Sequence, residues 1–155
     1  MLAHSHGEDM FKGRYLHTLD AKGRLSIPSR FRETLAQHRE EVLILTNFDS
    51  CLAGFPSDEW ELLEEKLRKL PMLQKDVRAF TRIFFAGAQE CPVDRQGRIL
   101  IPPSLREEAG LEKDVVLLGA ASRIEIWSKP RWDAFYREST ENFEPIAAKL
   151  SDLGL

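Results

Sequence analysis

Little in this sequence could support a disulfide scaffold, a membrane span or a metal centre. There are two cysteines, Cys51 and Cys91. They are too few for a disulfide framework, and neither sits at metal-pair spacing, so a reducing, cytoplasmic setting is expected. No apolar run approaches the ~18 residues that a membrane span requires. Met1 to Met10 has no basic segment leading into an apolar stretch, so it does not read as a secretory signal. The histidines are His4, His6, His17 and His38, and their placement suggests no Ser/His/Asp or Cys/His constellation. His4 and His6 on a polar tail fall short of the ligands a closed metal site needs. These absences argue against an enzyme, a cofactor, a bound metal and a small-molecule substrate.

What is present is a foldable chain of 155 residues, 43% hydrophobic and 30% charged, enough for one domain or two small ones that lean on each other. Its net charge of −3 hides a segregation. Residues 11–39 carry Lys12, Arg14, Lys22, Arg24, Arg30, Arg32 and Arg39 against only Asp20 and Glu33. The rest of the chain is acidic in balance. A basic block on an acidic body suits a polyanionic partner, because the local field steers association. A solvated strand-and-loop face would carry the same charges with no partner at all.

The chain is also written twice. Asp20-Ala21-Lys22-Gly23-Arg24-Leu25-Ser26-Ile27-Pro28 recurs as Asp94-Arg95-Gln96-Gly97-Arg98-Ile99-Leu100-Ile101-Pro102. At the same offset Phe11 meets Phe85, Gly13 meets Gly87, and Arg32-Glu33 meets Arg106-Glu107. Farther on, Val42 to Leu45 matches Val115 to Leu118, and Phe55 and Trp60 match Trp127 and Trp132. Two copies are too few for a solenoid, so this is a tandem duplication of a small module.

Each module reads with the same grammar. Arg14 to Leu19 is expected as a strand, Asp20 to Arg24 as a turn, and Leu25 to Ile27 as a short strand ended by Pro28. Ser29 is placed to cap a helix through Leu35. Val42 to Thr46 and Cys51 to Phe55 form a hairpin around a turn at Asn47 to Ser50. Pro56-Ser57-Asp58 opens a helix with Trp60, Leu63, Leu67 and Leu70 on one face. Lys75 to Ile83 reads as a connecting helix with Val77 and Phe80 inward. The second copy repeats the pattern with Val115 to Leu118, Arg123 to Trp127, and a helix bearing Trp132, Phe135 and Tyr136. Glu138 to Leu155 reads as a final helix packed on a neighbour. The tryptophans belong to the core rather than to a base-stacking platform, and both cysteines read as small buried hydrophobes. A module of roughly 45 residues is near the size at which partners are needed, so the copies should pack together and the apolar helices should support oligomerisation.

The chemistry of the repeated turn follows from its residues. Gly23 and Gly97 supply the positive φ that a tight turn requires, and Asp20 and Asp94 accept backbone N–H groups across it. Arg24 and Arg98 either pair with those carboxylates or reach outward. Around the first copy stand Lys12, Arg14, Lys22 and Arg24, whereas residues 84–111 have three basic and four acidic side chains. The first turn is therefore the one expected to offer cations to phosphates or base edges, with the second mainly holding the scaffold.

Met10-Phe11-Lys12-Gly13 through Pro28, together with Asp94 to Pro103, Leu105-Arg106-Glu107 and Ala109-Gly110-Leu111, resembles the two repeats of the MraZ family over residues 10 to 145. Each half also resembles the AbrB-type swapped-hairpin fold. The resemblance implies a mixed α/β (α+β) protein of two tandem modules forming a pseudo-duplicated, double-barrel-like unit with flanking helices. It divides the chain into an N-terminal extension (1–9, outside the family pattern and flexible), a first AbrB-like domain (14–60), connecting helices (61–87), a second such domain (88–131) and C-terminal helices (132–155). It implies a sequence-specific transcriptional regulator, acting as a homo-oligomeric ring on double-stranded promoter DNA. The sites would be direct repeats upstream of the division and cell-wall operon, and the protein would be nucleoid-associated. Carried onto this chain, Lys22 and Arg24 are the main DNA contacts, with Gly23 between them. Arg14 and Lys12 are weaker contacts and Arg98 a lesser one. The competing reading is a MazE-like antitoxin or another protein-binding module, which the completeness of both halves disfavours because no long toxin-binding tail is left over.

Overall fold

The computed structural model describes residues 10–38 and 41–154. The expected N-terminal extension, with His4 and His6, lies outside the described residues.

The first repeat contributes strands β1 (Arg14–Thr18), β2 (Arg24–Ser26), β3 (Val42–Phe48) and β4 (Cys51–Pro56), and helices α1 (Ser29–Leu35), α2 (Ser57–Arg68) and α3 (Lys75–Ala86). The second contributes β5 (Gln89–Pro92), β6 (Arg98–Leu100), β7 (Asp114–Gly119) and β8 (Ile124–Ser128), with α4 (Pro103–Glu108), α5 (Lys129–Glu141), α6 (Phe143–Lys149) and a 3₁₀ turn at Leu150–Leu153. Both helical starts after the short strands are set by proline. Pro28, not Ser29, occupies the cap position of α1 and no side chain caps that helix, and Pro102 does the same for α4. Proline's fixed φ is compatible with the extended backbone of that position, and its lack of an N–H removes nothing the helix uses.

The repeats do not fold side by side; they exchange strands. Among the described residues, six strands form one antiparallel sheet in the order β1-β7-β8-β4-β3-β5. Thus β1 of the first repeat lies on β7 of the second, and β5 of the second lies on β3 of the first. The two hairpins meet at the centre through β4 and β8. Every residue of β4 and of β8 is buried, as expected of central strands covered on both faces. The edge strand β1 alternates exposed and half-buried residues. The sheet stays open between its edges β1 and β5, so the barrel-like closure of the expected double unit is absent among the described residues.

The remaining two strands, β2 and β6, pair antiparallel as a separate ribbon. Its inner residues Leu25 and Ile99, followed by Ile27 and Ile101, are buried in one core with Phe31 and Leu35 of α1, Leu105 of α4, and Leu43, Leu45, Leu52, Val115, Leu117, Ile124 and Ile126 of the sheet. The opposite sheet face carries two smaller clusters. Ile44, Ala53 and Phe55 pack with Trp60 of α2 and Phe84 of α3. Cys51, Val116 and Trp127 pack with Trp132 of α5. The tryptophans are thus core residues, Trp60 and Trp127 fully and Trp132 in part.

Three local expectations shift. The β3–β4 turn is tighter, with Asp49 and Ser50 at φ 50° and 71°, the left-handed pair of a two-residue hairpin connection. Helix α2 ends at Arg68, so Leu70 lies beyond it and is exposed, while Leu63 and Leu67 back Trp60. In α3 the inward aromatic is Phe84 rather than Phe80. The buried Thr46 hydroxyl donates to the Phe84 carbonyl, tying α3 to β3 where Phe84 packs on Phe55 and Trp60. Phe80 stacks on Phe84 at 5.2 Å yet remains 42% exposed.

Candidate nucleic-acid interface

Each Asp-x-x-x-Arg segment builds its turn in the same way. In the first, the Lys22 and Arg24 backbone N–H groups donate to Asp20 Oδ1, both at 2.9 Å. The Gly23 N–H donates to the Asp20 carbonyl and the Asp20 N–H to that of Arg24. In the second, the Gln96 and Arg98 N–H groups bind Asp94 Oδ1, with the same backbone closure. Gly23 and Gly97 sit at φ +85° and +77°, a region that a Cβ disfavours. The other carboxylate oxygen fixes the arginine: Arg24 Nε donates to Asp20 Oδ2 at 2.6 Å, and Arg98 Nε to Asp94 Oδ2 at 3.2 Å. Pairing with the carboxylate and reaching outward are therefore compatible, because the guanidinium fork has further N–H groups. The backbone donors and Arg24 hold the Asp20 carboxyl at about 2. The corresponding donors, led by the Arg98 N–H, lower that of Asp94.

The turns are locked to each other across the repeats. The Ile27 N–H donates to the Gly97 carbonyl and the Ile101 N–H to the Gly23 carbonyl, at 2.8 and 2.9 Å. Arg106 of the second repeat lies against Gly23, where an added Cβ would fall 2.6 Å from its Cζ. Arg32 of the first lies in the same way against Gly97. Each arginine is steadied by its own strand end, Arg32 Nε on the Ile27 carbonyl and Arg106 Nε on that of Ile101. The residue-level reading overlooked these two arginines as turn supports. Their signal was there, in the recurrence of Arg32-Glu33 as Arg106-Glu107.

The basic side chains that sequence proximity grouped around the first turn are separated. Lys22 stands exposed on the turn, with no ion pair among the described residues. Arg14 is at the other end of β1, about 20 Å from Asp20 at ~3.4 Å per residue. Its guanidinium lies 4.9 Å from the Tyr136 ring centre and 5.9 Å from that of Trp132, a cation–π arrangement that pins β1 to α5. Lys12, exposed, precedes it. The ribbon instead places Arg98 near Arg24, on the same outward face.

Elsewhere the chemistry is quiet. Burial pushes the Cys91 thiol up to about 11 and raises that of Cys51 further, with Glu125 and Asp49 adding to it. A thiol so raised is a poor nucleophile. No group of three or more His, Cys, Asp or Glu able to hold a metal occurs among the described residues. No helix there is long and apolar enough to cross a membrane.

A family model described as "MraZ protein, putative antitoxin-like" matches residues 10–83 and again 84–153. The chain is 51% identical over 146 residues to the "Transcriptional regulator MraZ" of Desulfitobacterium hafniense (strain DSM 10664 / DCB-2). Its identity to the protein of the same name from Ligilactobacillus salivarius (strain UCC118) is 49% over 146 residues. Both alignments cover 94% of this chain and 100% of the relative. The family model matches each copy of the duplicated turn with its surrounding repeat, and the relatives match along nearly the whole chain: the chain belongs to the MraZ family.

Proposed function

We propose that this protein is a DNA-binding transcriptional regulator that recognises direct repeats upstream of the division and cell-wall operon as a homo-oligomeric ring. The observation that carries this reading is the pair of carboxylate-fixed arginine turns joined by one ribbon, with Lys22 exposed beside them and in no ion pair among the described residues. A guanidinium already held by Asp20 loses little conformational freedom on meeting a phosphate or a guanine edge, which favours binding. Lys22 and Arg24 carry the main contact and Arg98 joins from the second turn. Gly23 lets the backbone make the turn. Lys12 and Arg14, at the far end of β1, contribute less.

One such unit makes few phosphate contacts and would bind poorly at physiological salt. Identical units on one ring, meeting repeats at matching spacing, gain ~10²–10⁴-fold in avidity. Support for self-association comes from α6 and the turn after it. There Phe143, Ile146, Ala147 and Leu150 fall at helical i, i+3, i+4, i+7 spacing, and Phe143 and Ile146 are 65% and 45% exposed. The same stripe is what an antitoxin-like partner contact would use, so the choice between the two lies in the binding assay. Fluorescence anisotropy with a duplex from immediately upstream of the gene is expected to show salt-dependent binding. Arg24→Ala should abolish it, and Lys22→Ala should lower the slope of log affinity against log salt by about 1. Failure of the wild type to bind at any salt would reject the DNA reading in favour of a protein partner.

A further inference from the structure

The two turns lie at opposite ends of the β2–β6 ribbon, and the ribbon between them has an outward face of its own. The register sets Arg24 opposite Leu100 and Ser26 opposite Arg98. Leu25 and Ile99, 0% and 1% exposed, point into the core, so strand alternation turns Arg24, Ser26, Arg98 and Leu100 to solvent. Opposed Cβ atoms on such a pair are ~5 Å apart. The result is a four-residue plate with arginines on one diagonal, and a serine and a leucine on the other. Leu100 is 58% exposed, an apolar side chain standing between cations with nothing of its own kind beside it on the plate.

The duplication sharpens the point. Arg24 and Arg98 are equivalent positions, as are Leu25 and Ile99, but Ser26 is matched by Leu100. It is the one outward position of the ribbon where the two halves differ in chemistry. A B-DNA major groove, about 12 Å wide, admits a two-stranded ribbon. It offers arginine the guanine O6/N7 pair, and offers an apolar side chain the thymine C5-methyl group.

Resting on the DNA-binding reading above, we propose that the outer face of the β2–β6 ribbon enters the major groove as one reading head made by both repeats, with Leu100 packed against a thymine methyl. Ser26, at the equivalent place on the other strand, has no such preference. The plate is therefore directional on DNA, although the fold around it is pseudo-symmetric. A directional head suits sites repeated head to tail.

The test removes the methyl without changing the base pairing. The upstream duplex is amplified with thymidine or with deoxyuridine throughout, and anisotropy is read with wild type and with Leu100→Ser. That surface substitution makes the two strands of the plate match. Wild type is expected to bind the uracil duplex at least about fourfold more weakly, the value of one buried methyl, and Leu100→Ser to bind both duplexes alike. The ratio of ratios isolates the contact from any change in duplex shape. Equal binding of the two duplexes by wild type, or an unchanged ratio in Leu100→Ser, overturns the methyl contact while leaving the DNA reading standing. No binding of wild type to the thymine duplex overturns both.

Discussion

Asp20 does the work of a small scaffold. It accepts two backbone N–H groups on one oxygen and the Arg24 guanidinium on the other, so protonation would remove the charge that strengthens these bonds and leave one oxygen a donor facing donors. Its pKa of about 2 lies below the ordinary 3.8. The linked stability is accordingly present above about 3.8 and is lost as pH falls through about 2. A carboxyl-carbon NMR titration should place the Asp20 midpoint near 2, and a midpoint near 3.8 would show that the turn is not closed in solution. Gly23 is the other fixed point. Gly23→Ala combines a left-handed φ with a Cβ 2.6 Å from the Arg106 guanidinium. It should lower stability by about 1–2 kcal/mol in urea denaturation, and Arg106 should be displaced with it. These two roles were legible in the amino-acid order, because an Asp and a Gly at that spacing have a local reason to be there. The support Arg106 gives to Gly23 had no such local mark, since the turn it lies against is in the other repeat.

Elements carry the exchange between repeats. The ribbon is three residues per strand, too short to persist alone. It holds because Leu25, Ile27, Ile99 and Ile101 sink into the shared core and because each turn carbonyl accepts from the opposite strand end. Arg106→Ala removes the Nε bond to the Ile101 carbonyl at 3.0 Å. It should destabilise by about 1–2 kcal/mol and weaken DNA binding through the first turn, although Arg106 belongs to the second repeat. Equal DNA affinity in wild type and Arg106→Ala would separate the turns functionally. Arg14 belongs to the same scale. Arg14→Ala should cost about 0.5–1 kcal/mol through lost contact with Tyr136 and Trp132, and should change the salt slope of binding less than Lys22→Ala does. The hydrophobic patterns that forecast β3, β4, β7, β8 and α2 were sufficient because the strands are short apolar runs bounded by turn residues and α2 carries Trp60, Leu63 and Leu67 at helical spacing. The inward aromatic of α3 was not, since Phe80 and Phe84 share one helix face and only the packing of Phe84 on Phe55 and Trp60 sets which of them covers the sheet.

At the scale of the molecule, one face of the sheet is sealed by the ribbon with α1 and α4, while the other carries α2, α3 and α5; Phe80 and Ile83 of α3 stay exposed, as do Phe143, Ile146 and Leu153 of the C-terminal segment beyond them. Apolar residues of that number suit contact between copies. A chain ending at Asn142 lacks the stripe on α6, and its sedimentation should show a smaller assembly than the full chain. An unchanged mass would move self-association to another surface. The sequence by itself determined the duplication, the two turns with their Asp, Gly and Arg, and nearly every strand and helix, because each depends on residues a few positions apart. Tertiary structure alone decided the pairings beyond the two hairpins, β1 on β7, β5 on β3, β4 on β8 and β2 on β6. Backbone hydrogen bonding does not distinguish β1 on its own repeat from β1 on β7, and only the burial of the ribbon and the central hairpins does. That choice held Arg14 against α5 at the far end of β1, and set Arg98 and Leu100 beside Arg24 on a single face.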